Sequence, residues 1–168
     1  RSHAERRSFD LAEATDQIVA SLRPTLRRAP VKLQVTVPPG IVLDSYPGPY
    51  GQVVTNLFIN ALTHAFPDGR GGTFGIEAVQ EGDQVMMTFR DDGIGMNSDV
   101  QRQAYDPFFT TKRGEGGTGL GLNIVFNIVT RRLGGRIWLS STPGVGTTFR
   151  IVLPLSAPQD PGERQEAA

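Results

Sequence analysis

The chain has 168 residues, 38% of them hydrophobic, with 17 acidic and 17 basic side chains and no cysteine. That size and apolar content suit one soluble domain with a single core, and the balanced charge gives no electrostatic reason to expect nucleic acid or an anionic membrane as partner. Lack of cysteine excludes disulfides and thiol chemistry and fits a reducing, cytoplasmic compartment. No apolar run approaches the roughly 20 residues of a membrane span, and no signal peptide opens the chain. Because it starts at Arg1 rather than Met, the chain is expected to be a piece of a longer protein, whose own membrane attachment stays open.

In chain order, residues 1–8 are polar and basic and read as a linker, a terminal remnant or the tail of a preceding helix. Asp10 is placed as an N-cap with Glu13 three residues on and Phe9 positioned to staple the first turn. The helix that follows carries Leu11, Ile18, Val19, Leu22 and Leu26 on one stripe and ends between residues 23 and 28, where Pro24 kinks or stops it. Residues 32–37 alternate as a strand, and Ile41, Val42 and Leu43 form a short second one after the turn Pro38-Pro39-Gly40. A long helix is expected over 50–65, its apolar side built from Val53, Val54, Leu57, Phe58, Ala61 and Leu62. Residues 73–80 and 84–90 read as a hairpin.

From 91 to about 118 no periodicity is convincing, and a stretch that long inside a compact domain is usually a lid, a binding loop or disorder. A helix over 122–133 and a strand pair over 136–141 and 147–153 complete the domain, which is expected to span 9–155 and to be followed by a disordered tail over 156–168. Grouped helices and hairpins, rather than strict strand–helix alternation, point to an α/β fold, a two-layer sandwich in which a mixed sheet of about five strands packs on three helices.

Several stretches carry chemistry. Five glycines within 114–121 open the last helix, where a backbone free of Cβ and unpaired N–H groups can cradle anionic oxygens; a flexible surface loop is the alternative. Neither a dinucleotide-binding crossover nor a P-loop fits, since Lys112 and Arg113 stand where a strand should precede the glycines and no Gly-Lys-Ser/Thr follows. Asn56, Asn60 and His64 recur every four residues along the long helix. Asparagine is a mediocre helix former, so two of them mid-helix call for a reason: Asn60 offers a hard amide oxygen suited to Mg²⁺ beside phosphates, whereas His64 alone reads as a solvated face. Asp91 closes a strand beside Gly93 and Gly95, where a carboxylate can accept from an exocyclic amine; an ordinary β-to-loop turn would use the same residues.

The order of these stretches is more specific than any one of them. Asn-Leu-Phe-Ile-Asn-Ala at 56–61, Asp-Asp-Gly-Ile-Gly at 91–95, Pro-Phe-Phe-Thr-Thr-Lys at 107–112 and Gly-Thr-Gly-Leu-Gly-Leu at 117–122 resemble, box by box, the catalytic ATP-binding domain of sensor histidine kinases. That family belongs to the superfamily of gyrase, heat-shock chaperone, histidine kinase and mismatch-repair ATPases, with its Bergerat-type sandwich and long ATP lid. The resemblance implies ATP and Mg²⁺ as cofactors. It makes Asn60 the metal-coordinating asparagine, supported one turn earlier by Asn56 at the phosphate end. It makes Asp91 the carboxylate that selects adenine, with Gly93 and Gly95 lining the base pocket. Phe108 and Phe109 fall in the aromatic box that hinges the lid, followed by Thr111, and Lys112 or Arg113 reaches the triphosphate. Gly117, Thr118, Gly119, Leu120, Gly121 and Leu122 form the second glycine box against the phosphates, and Thr147 helps to hold the base. Asn60, Asn56 and Lys112 are then the residues closest to the transfer itself.

Departures from the family pattern are Thr63, where many members have lysine, so that one phosphate contact is missing or supplied by His64, and Asp92 in place of the usual asparagine. The implied function is a module that donates the γ-phosphate of ATP to a histidine on a separate dimerisation domain, which then phosphorylates a response regulator. That histidine hairpin is not in this sequence, His3 reads as a linker residue, and the piece is expected to be monomeric. Alternatives are a gyrase-type ATPase, an anti-sigma serine kinase and a binding-only pseudokinase. The first is disfavoured because Asn56 stands where those relatives carry a general-base glutamate.

Overall fold

The computed structural model describes residues 5–104 and 121–159, apart from the Arg28 side chain. Its main sheet has five strands in the order β2 (Val31–Thr36), β4 (Gly72–Glu81), β5 (Gln84–Asp91), β7 (Gly146–Pro154) and β6 (Arg136–Thr142). Only β2 with β4 is parallel; the other pairings are antiparallel, so the sheet is mixed as expected. Helices α1 (Leu11–Leu22), α2 (Pro47–Asn60) and α4 (Leu122–Asn127) cover one face, and the last two continue into single π-helical turns, Ala61–Ala65 and Ile128–Arg132.

Alternation decides which sheet face meets the helices. On β5 Val85, Met87, Phe89 and Asp91 are buried, while Gln84, Met86 and Arg90 point the other way and are exposed. The helix side is filled by Tyr50, Val53, Val54, Leu57 and Phe58 of α2 and by Leu122 and Val125 of α4. Phe58 meets Phe74 of β4 edge-on, with ring centroids 5.5 Å apart. Between α1 and α2, Thr15 donates to the Leu11 carbonyl, so the Tyr50 hydroxyl, 2.7 Å away, donates to Thr15. Complete burial of that phenol pushes its pKa up.

Three features were not foreseen. Arg7 and Ser8, read as linker, belong to β1 (Arg7–Asp10), which pairs antiparallel with β3 (Val42–Ser45) in a small ribbon outside the main sheet. Ser156 bridges to Asp44 and Ala157 is buried, so the expected disordered tail does not begin at 156. Arg6 fastens both ends together, bonding Asp44 at 3.1 Å, the Ser156 hydroxyl at 2.9 Å and the Ala157 carbonyl at 2.7 Å. Third, the stretch read as aperiodic contains α3 (Ser98–Gln103), capped by Asn97, whose Oδ1 accepts from the Val100 N–H at 2.9 Å.

The cap of α1 is as expected. Asp10 accepts from the Glu13 N–H at 3.0 Å and, through its other oxygen, from the Gly40 N–H at 2.8 Å. These bonds to the charged form lower its pKa below the ordinary 3.8, so its stabilising effect is complete above that value and is lost as pH falls through the depressed one. Asp10→Ala is therefore expected to lower the melting temperature at neutral pH, with the gap to wild type closing under acid. Melting curves of both proteins from pH 7 down to pH 2 test this, and a gap that does not depend on pH would contradict it.

Candidate functional site

The end of the helix layer overhangs the strand end at Asp91, and between them lies a cavity of about 270 Å³. Asn60 and His64 line it from above, Asp91 and Thr147 from the sheet, Ile94 and Met96 from the chain between β5 and α3, and Val100 from α3 itself. A mostly apolar slot with a few convergent polar groups is the usual form of a small-molecule site. Sheet register brings two of those groups together, because Asp91 sits directly opposite Thr147 on the neighbouring strand.

Asp91 is only 8% exposed, and no lysine or arginine is among the described residues that line the cavity. Its Oδ1 accepts from the Gly93 N–H at 3.0 Å and the Thr147 N–H at 3.2 Å, which leaves Oδ2 as the acceptor available to a ligand. Burial pushes the carboxyl pKa up, the two N–H groups pull it part of the way back, and the charge of Asp92 adds a further rise. Asp92 itself has a structural task, since its Oδ1 accepts from the Thr73 N–H at 2.8 Å and ties the end of β5 to β4.

The glycines after Asp91 are needed for close approach. A Cβ on Gly93 would run into the Ala65 backbone, and Gly95 has φ +73 with the Thr142 carbonyl where its side chain would lie. The loop is thus clamped between α2 and the β6–β7 turn, with the Ile94 N–H donating to Ala65 at 2.9 Å and the Gly144 N–H to Ile94 at 2.7 Å. The wide turn at Ala61–Ala65 delivers that Ala65 carbonyl, in keeping with the frequency of π-turns at functional sites.

Asn60 is 7% exposed and its Oδ1 is buried with no hydrogen-bond partner among the described residues. An orphaned amide oxygen is costly unless something else satisfies it, and an oxygen-seeking cation such as Mg²⁺ is chemically suited to do so. Asn56, one turn earlier, has its Nδ2 3.9 Å from the point where a Cβ on Gly121 would stand, and so faces the start of α4. Gly121 is the left-handed N-cap of α4. Leu122 points into the core and is fully buried, so its side chain is a packing residue, and only its backbone remains a candidate to meet a ligand.

The structure therefore unites Asn60, His64, Asp91, Gly95 and Thr147 around one cavity, with Gly93 bonded to Asp91 and with Asn56 and Gly121 beside each other. Phe108, Phe109, Thr111, Lys112, Arg113, Gly117, Thr118, Gly119 and Leu120 lie outside the described residues. Sequence reasoning missed the wall formed by Met96, Asn97 and Val100. The signal was present in Asn97-Ser98-Asp99-Val100, an N-cap pattern hidden in a stretch too short for periodicity.

Residues 47–157 match the family described as histidine kinase-, DNA gyrase B-, and HSP90-like ATPase. The sensor histidine kinase ZraS of Salmonella typhimurium is 44% identical over 109 residues, which cover 64% of this chain and 22% of ZraS. ZraS of Klebsiella oxytoca is 32% identical over 160 residues, 94% of this chain and 33% of that protein, so the chain spans a third or less of these relatives. Among solved structures, the catalytic domain of histidine kinase ThkA superposes with a TM-score of 0.78 at 25% identity, covering 90% of this chain and 97% of that domain. The family match takes in more than half of the chain and includes Asn56, Asn60, Asp91, Gly93, Gly95 and Thr147, and on this ground the chain belongs to the histidine kinase-, DNA gyrase B-, and HSP90-like ATPases.

Proposed function

We propose that this chain is the ATP-binding catalytic module of a two-component sensor histidine kinase. It holds Mg·ATP and presents the γ-phosphate to a histidine on a separate dimerisation domain, which in turn serves a response regulator. The observation that carries this reading is the pairing, in one cavity, of a desolvated carboxylate suited to a purine amine with an orphaned amide oxygen suited to a cation. The similarity to named sensor histidine kinases supports the reaction type, and ThkA, a histidine kinase of like fold, forms a complex with the response regulator TrrA. Dependence on ATP argues for a cytoplasmic setting, and none of the described helices is long and apolar enough to cross a membrane.

In this reading Asp91 Oδ2 accepts from the adenine amine, Thr147 lies against the base, Gly93 and Gly95 allow its close approach, and Asn60 Oδ1 holds Mg²⁺, with Asn56 supporting the phosphate end. The bound metal would neutralise charge on the phosphate oxygens. Phosphoryl transfer requires chiefly such positioning and charge neutralisation. Lys112 or Arg113, together with the glycine box 117–122, would meet the triphosphate, and Phe108, Phe109 and Thr111 would belong to the lid. Asn56 bears an amide and cannot deprotonate water at neutral pH, which disfavours hydrolysis as the main reaction.

Calorimetric titration with Mg·ATP tests the reading. Saturable binding without continuing heat is expected; sustained heat would indicate turnover to water, and absence of binding would overturn the assignment. Asp91→Asn is expected to keep both backbone bonds through its amide oxygen and to place a donor where the amine needs an acceptor. Loss of a hydrogen bond to a charged group should weaken ATP about ten- to a hundredfold. The raised pKa means that folding favours the neutral carboxyl, so unliganded stability falls as pH rises through that pKa. At neutral pH the melting temperature of Asp91→Asn should accordingly equal or exceed that of wild type, and a large drop would show a structural role instead. Asn60→Ala should reduce ATP affinity in excess Mg²⁺ to the level that wild type shows in EDTA; an undiminished response to Mg²⁺ would remove Asn60 as ligand.

A further inference from the structure

The face of the main sheet that points away from the helices carries side chains in rows set by strand register. Val79 of β4, Met86 of β5, Val152 of β7 and Arg136 of β6 stand side by side, and Glu77, Thr88, Arg150 and Trp138 form the next row, two residues along each strand. Glu81 begins the row on the other side of Val79. Val79, Met86 and Trp138 are 58%, 40% and 47% exposed, so the middle of this face offers open apolar surface. All of these residues border one groove. Charge is divided across it: the acids Glu77 and Glu81 stand on β4, the bases Arg136 and Arg150 on β6 and β7. The two sets are two or three strand spacings apart, about 10–14 Å, and none of the four forms an ion pair among the described residues.

We infer that a second copy of this chain covers the face, sheet on sheet, with the two-fold axis running along the strands between β5 and β7. That operation lays β4 of one copy over β6 of the other, and β5 over β7. Val79 then opposes Arg136 of the second copy, which falls between Glu77 and Glu81, while Met86 opposes Val152 and Glu77 meets the row of Arg150 and Trp138. Arg90, the further cation on β5, opposes Thr148 rather than another charge. A two-fold axis across the strands would instead set acid over acid on β4, so the charge pattern selects the first arrangement. The patch measures about 14 Å in each direction, less than a standard interface, and the pairing is therefore weak and reversible. The expected monomer would hold only in dilute solution. Because the cavity lies on the helix side of the sheet, pairing leaves it open, and the inference stands apart from the ATP-binding reading.

Sedimentation equilibrium of the whole chain, up to the limit of solubility and in low and high salt, tests the inference. A reversible monomer–dimer equilibrium that weakens with salt is expected. Glu77→Lys with Glu81→Lys, or Arg136→Glu with Arg150→Glu, should each weaken pairing at least about tenfold, since like charges then face each other. A chain carrying all four reversals has its charges exchanged and its net charge unchanged, and should pair as wild type does. Glu13→Lys with Asp16→Lys alters net charge as much on the exposed side of α1 and should leave the dimer intact. Trp138→Ala should weaken pairing without disturbing the fold, because the ring is half exposed. Nucleotide binding should be the same in every variant. A wild type that stays monomeric at all concentrations would overturn the inference and leave the face to another segment of the parent protein. A dimer indifferent to the reversals, or weakened equally by the α1 pair, would overturn it as well, and none of these results would touch the ATP assignment.

Discussion

Desolvation of the Asp91 carboxylate is the constraint around which this end of the molecule is built. A charge removed from water is costly unless fixed dipoles replace the lost hydration, and here two backbone N–H groups do so on one oxygen. One of them comes from Thr147, which requires β5 and β7 to pair in the observed register. The other comes from Gly93, which requires the chain to turn sharply against the Ala65 backbone, where no side chain fits. Sheet register, loop path and the wide turn closing α2 are thus coupled through a single side chain.

The helix layer contributes the opposite kind of group. Asn60 lies on an otherwise core-forming helix, in the stretch where Leu57, Phe58 and Ala61 pack, and its carbonyl oxygen is buried without a partner among the described residues. A fold tolerates such an atom where function compensates for it. A carboxylate on the sheet and an amide oxygen on the helix form two poles of one cavity, which suits a ligand with an amine at one end and a cation-bound anion at the other. Ile94, Met96 and Val100 add apolar wall to the same cavity.

The open face of the sheet contrasts with this organised side. Trp138, Met86 and Val79 remain exposed there, with Arg136 stacked on the Trp138 ring at 5.2 Å. On the other face, Asp91, Thr147 and Ser141 are joined across three neighbouring strands by hydrogen bonds.

Much of this was legible in the sequence, for physical reasons. The cap at Asp10, the apolar stripe of α2 and the strand alternation are local patterns, set by residues within a few positions of one another, and they appear where expected. Asn60, Asp91 and Thr147 could be named in advance because their residue types conflict with their surroundings or match an ordered set of motifs. The β1–β3 ribbon, the docking of Ser156 and Ala157, and α3 could not be read with the same ease, since each depends on partners far along the chain or is too short for a period. Sequence alone determined the local patterns and named the candidate groups. Only the tertiary structure decided that Leu122 packs in the core, that the Asn60 oxygen finds no partner among the described residues and that Thr147 comes to lie opposite Asp91, because burial and pairing are properties of neighbours brought together by register.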